Sequence, residues 1–144
     1  MPKLDLDAIA HEPDSDYPEP FRAAAAGRLV RVLSHAGGLT DFVATHVTVP
    51  PGGWSSQRHW HEEEDEIVLV VSGEGTLVDN AGRHPLRAGD VATFAKGDGN
   101  AHHIANDGAA PLVLFALSLP ERGRVHYPDI GMAWTPGGDM VEER

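Results

Sequence analysis

There is no cysteine among the 144 residues of this chain. That absence excludes a disulfide scaffold, a thiolate metal site and a catalytic thiol. A metal held here must sit on histidine and carboxylate ligands. Basic residues are scarce as well: 11 Lys and Arg stand against 22 Asp and Glu, a formal net charge of -11. So acidic a chain repels phosphate backbones and anionic lipids, and neither nucleic acid nor a membrane is an expected partner. Long apolar runs are missing. No segment reaches bilayer-spanning length, and residues 1–7 hold no apolar stretch of signal-peptide length, so a soluble cytoplasmic protein is expected. No long segment keeps a 3.6-residue period, and no internal repeat is evident.

What the chain does have is short strands and turns, in a length that suits one domain. Residues 1–28 contain Pro2, Pro13, Pro18 and Pro20 and many acids, and read as an extended N-terminal arm. Within it Ala23 to Ala26 can form a short helical piece that Gly27 ends. Strands are predicted at 29–33, 41–49, 58–61, 67–71, 75–78, 84–86, 91–94, 102–106 and 112–117. Between them lie turn signals such as Pro50-Pro51-Gly52-Gly53, Asp79-Asn80-Ala81-Gly82 and Asn106-Asp107-Gly108. Many short strands at close spacing predict an all-β sandwich or barrel over 29–120. Residues 121–144 are expected to pack on the barrel or on a partner subunit. The run 67–71 is apolar at every position, whereas a strand with one buried face alternates. Both its faces are expected to be covered, one by the barrel interior and the other by a second sheet or a second copy, which predicts a homodimer.

The chemistry concentrates in two places. In His59-Trp60-His61, residues i and i+2 of a strand point to one face, so the two imidazoles meet a common point. Five acids follow, from Glu62 to Glu66. The first four read as a solvated loop. Glu66 opens the apolar strand and enters the barrel with Val68 and Val70, where a carboxylate needs a cation. Downstream, His102, Ile104 and Asn106 share a face; a core face that carries Ile104 favours His102 over His103 as a fourth ligand. Asn106 reads as a turn residue. Three imidazoles and one carboxylate suit a single divalent transition metal (Zn, Fe, Mn, Ni, Co or Cu) and leave coordination positions open. Gln57 shares the parity of His59, and His46 lies on a barrel strand, so both are candidates for a substrate pocket. His11, His35, His84 and His126 read as surface or loop residues.

These residues resemble the cupin superfamily. Its first motif is Gly, five residues, His-x-His, three or four residues, Glu, six residues, Gly; Gly53, His59, His61, Glu66 and Gly73 fit every gap. Its second is Gly, five residues, Pro-x-Gly, two residues, His, three residues, Asn. Gly89, Gly97, His102 and Asn106 match it, but Ala95 replaces the Pro and four residues rather than two precede His102. The resemblance implies a double-sheet jelly-roll barrel and a metal on His59, His61, Glu66 and His102. It looks closest to single-domain bacterial members sometimes likened to sugar-phosphate isomerases. Three functions remain open: a metal-dependent isomerase or lyase acting on a sugar or small organic acid, an oxygenase, and a non-catalytic metabolite-binding or sensor protein.

Overall fold

A computed structural model describes residues 2–13 and 17–143. Twelve short strands dominate it. They are β1 (Leu29–Val32), β2 (Val43–Val49), β3 (Trp60–His61), β4 (Glu66–Ser72), β5 (Glu74–Asp79), β6 (Gly82–Arg87), β7 (Val91–Phe94), β8 (His103–Ala105), β9 (Leu112–Ser118), β10 (Val125–Tyr127), β11 (Met132–Trp134) and β12 (Met140–Glu142). The largest sheet has the order β1-β2-β9-β4-β7; a second runs β12-β11-β10-β3, and a third runs β6-β5-β8. Every pairing is antiparallel. Among the described residues no helix is long and apolar enough to cross a membrane.

Alternation builds the core. On β4, Val68 and Val70 turn inward and join Val49, Phe94, Ile104, Leu112 and Leu114. Burying each such aliphatic side chain contributes roughly 1.5–3 kcal/mol. Ile67, Leu69 and Val71 point the other way and stay 41%, 37% and 48% exposed. Within one chain, then, the apolar run is covered on one side only. The turn that ends β4 requires glycine: Gly73 has φ +84°, and a Cβ there would lie 2.5 Å from the Pro111 carbonyl oxygen.

All nine expected strands are present, with shifted ends. Three others, β10 to β12, were not expected. They are three residues each and separated by Pro128, Gly131 and Pro136-Gly137-Gly138, too short for any period to declare itself. The strand expected to run to residue 33 stops at Val32, where a four-residue helix, α1 (Leu33–Ala36), turns the chain so that Ser34 Oγ accepts from the Ala44 amide.

Part of the expected N-terminal arm, residues 14–16, lies outside the described residues. Around it, the Glu12 amide donates to the Val30 carbonyl (2.7 Å), and Ala23–Ala25 form one 3-10 turn before Gly27 (φ +80°). Asn106 is fully buried; its Oδ1 accepts from the Gly108 amide and its Nδ2 donates to the carbonyls of Val49 and Ala110. That is the turn role expected of it.

Candidate metal centre

The two chemistry-bearing stretches meet through the backbone. The His59 amide donates to the His102 carbonyl (3.1 Å), and the His102 amide returns a bond to the His59 carbonyl (2.9 Å). Gly97 ties the other side, its amide bonded to the His61 carbonyl at 2.7 Å. The extra residues before His102 therefore form a bridge that delivers the histidine, and do not displace it. Ligand atoms of His59, His61 and Glu66 lie within 4.8 Å of one another. His102 adjoins this group through Glu66, with Nε2 3.3 Å from Oε1. Its ring stacks on Phe94 at a centroid distance of 3.5 Å. Phe94 is the β7 partner of Glu66, so the sheet register sets carboxylate and ring stack side by side.

Each imidazole is oriented differently. His59 Nδ1 lies 2.9 Å from the Gln57 carbonyl, which can only accept, so Nδ1 carries the proton and Nε2 keeps its lone pair. Ser56 Oγ, 3.2 Å from the same nitrogen, fixes the ring further. Burial and the neighbouring His102 push the His59 pKa down to about 3. Burial likewise lowers His61. Both rings are thus neutral in the ordinary pH range, the state that a ligand needs. Both ring nitrogens of His61 are buried; Nδ1 has only the Glu64 carboxylate near it, at 3.5 Å, and Nε2 has no hydrogen-bond partner. Glu66 is held below the usual carboxylate range: burial raises it, but the His102 hydrogen bond and the surrounding imidazoles outweigh that.

Glu64 departs from the solvated loop expected of it. It is 1% exposed; Oε1 accepts from the Gly123 amide at 2.9 Å and from the Arg122 amide, and Oε2 lies 3.5 Å from His61 Nδ1. Two peptide donors compensate the buried charge and keep its pKa low against the effect of burial. Nothing in a run of consecutive acids marks which one turns inward, because the donors come from residues nearly sixty positions away.

The group opens into a cavity of about 330 Å³. Val43, Thr45 and Val47 of β2 line it. Neither candidate pocket residue does. His46 has the opposite parity on β2 and pairs with Arg31 and Phe115 on the outer side of the sheet. Gln57 lies in a bend, not a strand, and its amide Nε2 turns away to donate to the Phe21 carbonyl at 2.7 Å. His103, which the strand period sets on the face opposite His102, is buried and stacks on Trp54 at 4.4 Å. In their place the cavity takes Tyr17, Arg28, Glu121 and Tyr127, none of them adjacent to the ligand motifs in sequence. The Tyr127 ring lies 5.7 Å from that of His59.

Comparison with known proteins bears on the fold and the family. The chain superposes over 98% of its length on the crystal structure of a sugar phosphate isomerase from a cupin superfamily of Silicibacter pomeroyi, with a TM-score of 0.92, 38% identity and 92% of that chain covered. A structure from Acidithiobacillus ferrooxidans, whose name also points to a sugar phosphate isomerase, is 30% identical with a TM-score of 0.74, over 80% of this chain and 76% of that one. The oxalate-binding protein of Thermotoga maritima is 39% identical over 71 residues, 49% of this chain and 56% of that protein, so this match spans little more than half of that relative. Residues 45–118, just over half of the chain and including both ligand stretches, match the cupin domain family, and the protein belongs to it.

Proposed function

We propose that His59, His61, Glu66 and His102 hold one divalent transition metal and that the protein binds and transforms a small polar metabolite beside it. The observation that carries this reading is His61 Nε2, which is buried and has no partner. A buried ring nitrogen with no partner loses its hydration without compensation, and a cation among the three compact donors would supply it. Glu66 and His102 support the same conclusion. His102 Nδ1 and Nε2 each face an oxygen acceptor at 3.3 Å, the Asn100 carbonyl and Glu66 Oε1. An imidazole with a single N–H can serve only one of the two, and a cation shared by Nε2 and Oε1 would serve the other.

The donor set of nitrogens and one oxygen fits Zn, Fe, Mn, Ni, Co or Cu without selecting among them. Such a metal, once bound, polarises a carbonyl or hydroxyl oxygen. The protein's own residues do the rest: Ser56 and Gln57 orient His59, Glu64 stands behind His61, and the barrel wall excludes water. Glu121 favours turnover over capture alone. Proton transfer needs a group beyond the ligands. Glu121 lines the same cavity, and loss of water together with the charges of Glu64 and Glu66 holds its carboxyl above the usual range.

Elemental analysis of untagged protein tests the metal reading. About one metal per chain is expected in the wild type, and loss of it in His59→Ala and in His102→Ala; retention by both variants would remove the ligand assignment. The exposed row Ile67, Leu69, Val71 and Val91 supports a homodimer. Val71→Lys is expected to sediment as a monomer where the wild type sediments as a dimer, and an unchanged sedimentation profile would count against that face.

A further inference from the structure

Among the described residues Arg28 is the only Lys or Arg that lines the cavity. It comes just before β1, far in sequence from the metal ligands, and its parity with Val30 turns it to the barrel interior. The Ser55 carbonyl accepts one N–H from its Nη1. Among the described residues no carboxylate pairs with it at ion-pair distance, which leaves most of its five donors uncommitted. Its charge is felt by Tyr17 and Tyr127, and the Tyr127 ring approaches that of His59. A guanidinium on the same cavity as a metal-binding group, without an internal counter-ion, is an arrangement that expects an anion.

The rest of the lining narrows the anion. Val30, Val43, Val47, Val68, Leu114 and Ala116 form an aliphatic wall. The sheet register places these residues in adjoining rows, Val68 beside Ala116 and Leu114 beside Val47 and, through it, Val30. Any sugar hydroxyl that faced this wall rather than Thr45, Ser118, Tyr17 or Tyr127, which line the same cavity, would be left without a partner, at a cost of about 1–3 kcal/mol for each one buried. A phosphate dianion would meet one guanidinium while Glu66 and Glu121 line the same space. A carboxylate needs two parallel N–H donors, which one guanidinium provides. We infer that the cavity takes a small monocarboxylic acid with a short apolar chain, its carboxylate held by Arg28 and its chain against the aliphatic wall. This inference rests on the metal reading for the position of the reacting end and adds the substrate class and the residue that selects it.

Calorimetric titration of purified protein with 2-oxobutanoate, glyoxylate and ribose 5-phosphate tests it, with metal content measured on the same samples. The wild type is expected to bind 2-oxobutanoate more tightly than ribose 5-phosphate. It should also favour 2-oxobutanoate over glyoxylate by roughly threefold or more for each added methylene. Arg28→Gln is expected to weaken 2-oxobutanoate at least tenfold, about 1.4 kcal/mol, with circular dichroism and metal content unchanged; Arg28→Lys should fall between. Equal affinity in wild type and Arg28→Gln, tighter binding of the sugar phosphate, or no binding of 2-oxobutanoate overturns the inference. Should Arg28→Gln not fold, the wild-type ranking and Arg28→Lys decide the matter. Failure of these arms with about one metal per chain leaves the metal reading intact, whereas absence of metal defeats that reading whatever the titrations give.

Discussion

His61 and His126 sit on neighbouring strands of one small sheet, β3 and β10, and have opposite surroundings. Both nitrogens of His61 are buried, Nδ1 with only the Glu64 carboxylate 3.5 Å away and Nε2 with no partner. Both nitrogens of His126 are taken: Nε2 by Glu62 and Nδ1 by Glu143, each at 2.7 Å, with the ring stacked on Trp60 at 4.3 Å. Burial lowers the pKa of His61. Burial also acts to lower His126, but the hydrogen bonds and charges of Glu143 and Glu62 outweigh it, and the net shift is upward. One imidazole is kept neutral and available. The other is shifted toward its charged form by two carboxylates and serves as a clamp that binds β10 to the loop after β3 and to Glu143 beyond β12. Identity of side chain says little; the neighbours decide whether a histidine offers a lone pair or a positive charge.

The largest expected effect follows from that contrast. His61→Ala should reduce bound metal from about one per chain to near zero, while His126→Ala should leave it unchanged. Elemental analysis of both variants checks this. Equal metal in the two, or equal loss, would erase the distinction between them.

Glu64→Gln sharpens the same contrast from the ligand's side. The substitution keeps the volume and an oxygen for the Arg122 and Gly123 amides, but removes the negative charge behind His61. Carboxylates that back a ligand histidine raise its basicity, and their loss typically costs 10–100-fold in metal affinity. Competition with a chelator is expected to show a weakening of about that size, with the melting temperature of the metal-free protein little changed. Unaltered affinity would make Glu64 a loop anchor only.

The sequence carried this contrast unevenly. The convergence of His59, His61, Glu66 and His102 was legible because a two-residue strand period and a carboxylate at the mouth of an apolar run are local patterns. The nine barrel strands were legible for the same reason, each being bounded by Gly, Pro, Asn or Asp. Gln57 was misjudged since parity holds only inside a strand, and residues 55–58 bend. His46 was misjudged because a strand of a barrel has an outer face too. Glu64, Arg28, Glu121 and the His126 clamp were out of reach: each depends on a partner more than twenty residues away, brought close only by the closed sheet. The strands β10 to β12 failed for want of length. Local periodicity thus revealed the clustered donors, and long-range contacts held everything that surrounds them.

The smallest effect concerns the clamp alone. Because the pKa of His126 in the folded protein lies above its value in the unfolded chain, folding takes up protons there. The stability it contributes is fully present below the unfolded value of about 6.5 and is lost as pH rises through the higher folded value. Glu62 and Glu143 are still partly in contact with water, so screening limits the contribution to roughly 1 kcal/mol. Urea unfolding of wild type and His126→Gln, compared at pH 5.5 and pH 8.5, should show the wild type ahead at the lower pH and the gap narrowing at the higher. The protein's metal content should not differ between the two, since none of the three clamped groups is a proposed ligand. A gap that widens with pH would mean that the ring is held neutral, and the two histidines would then differ in location but not in kind.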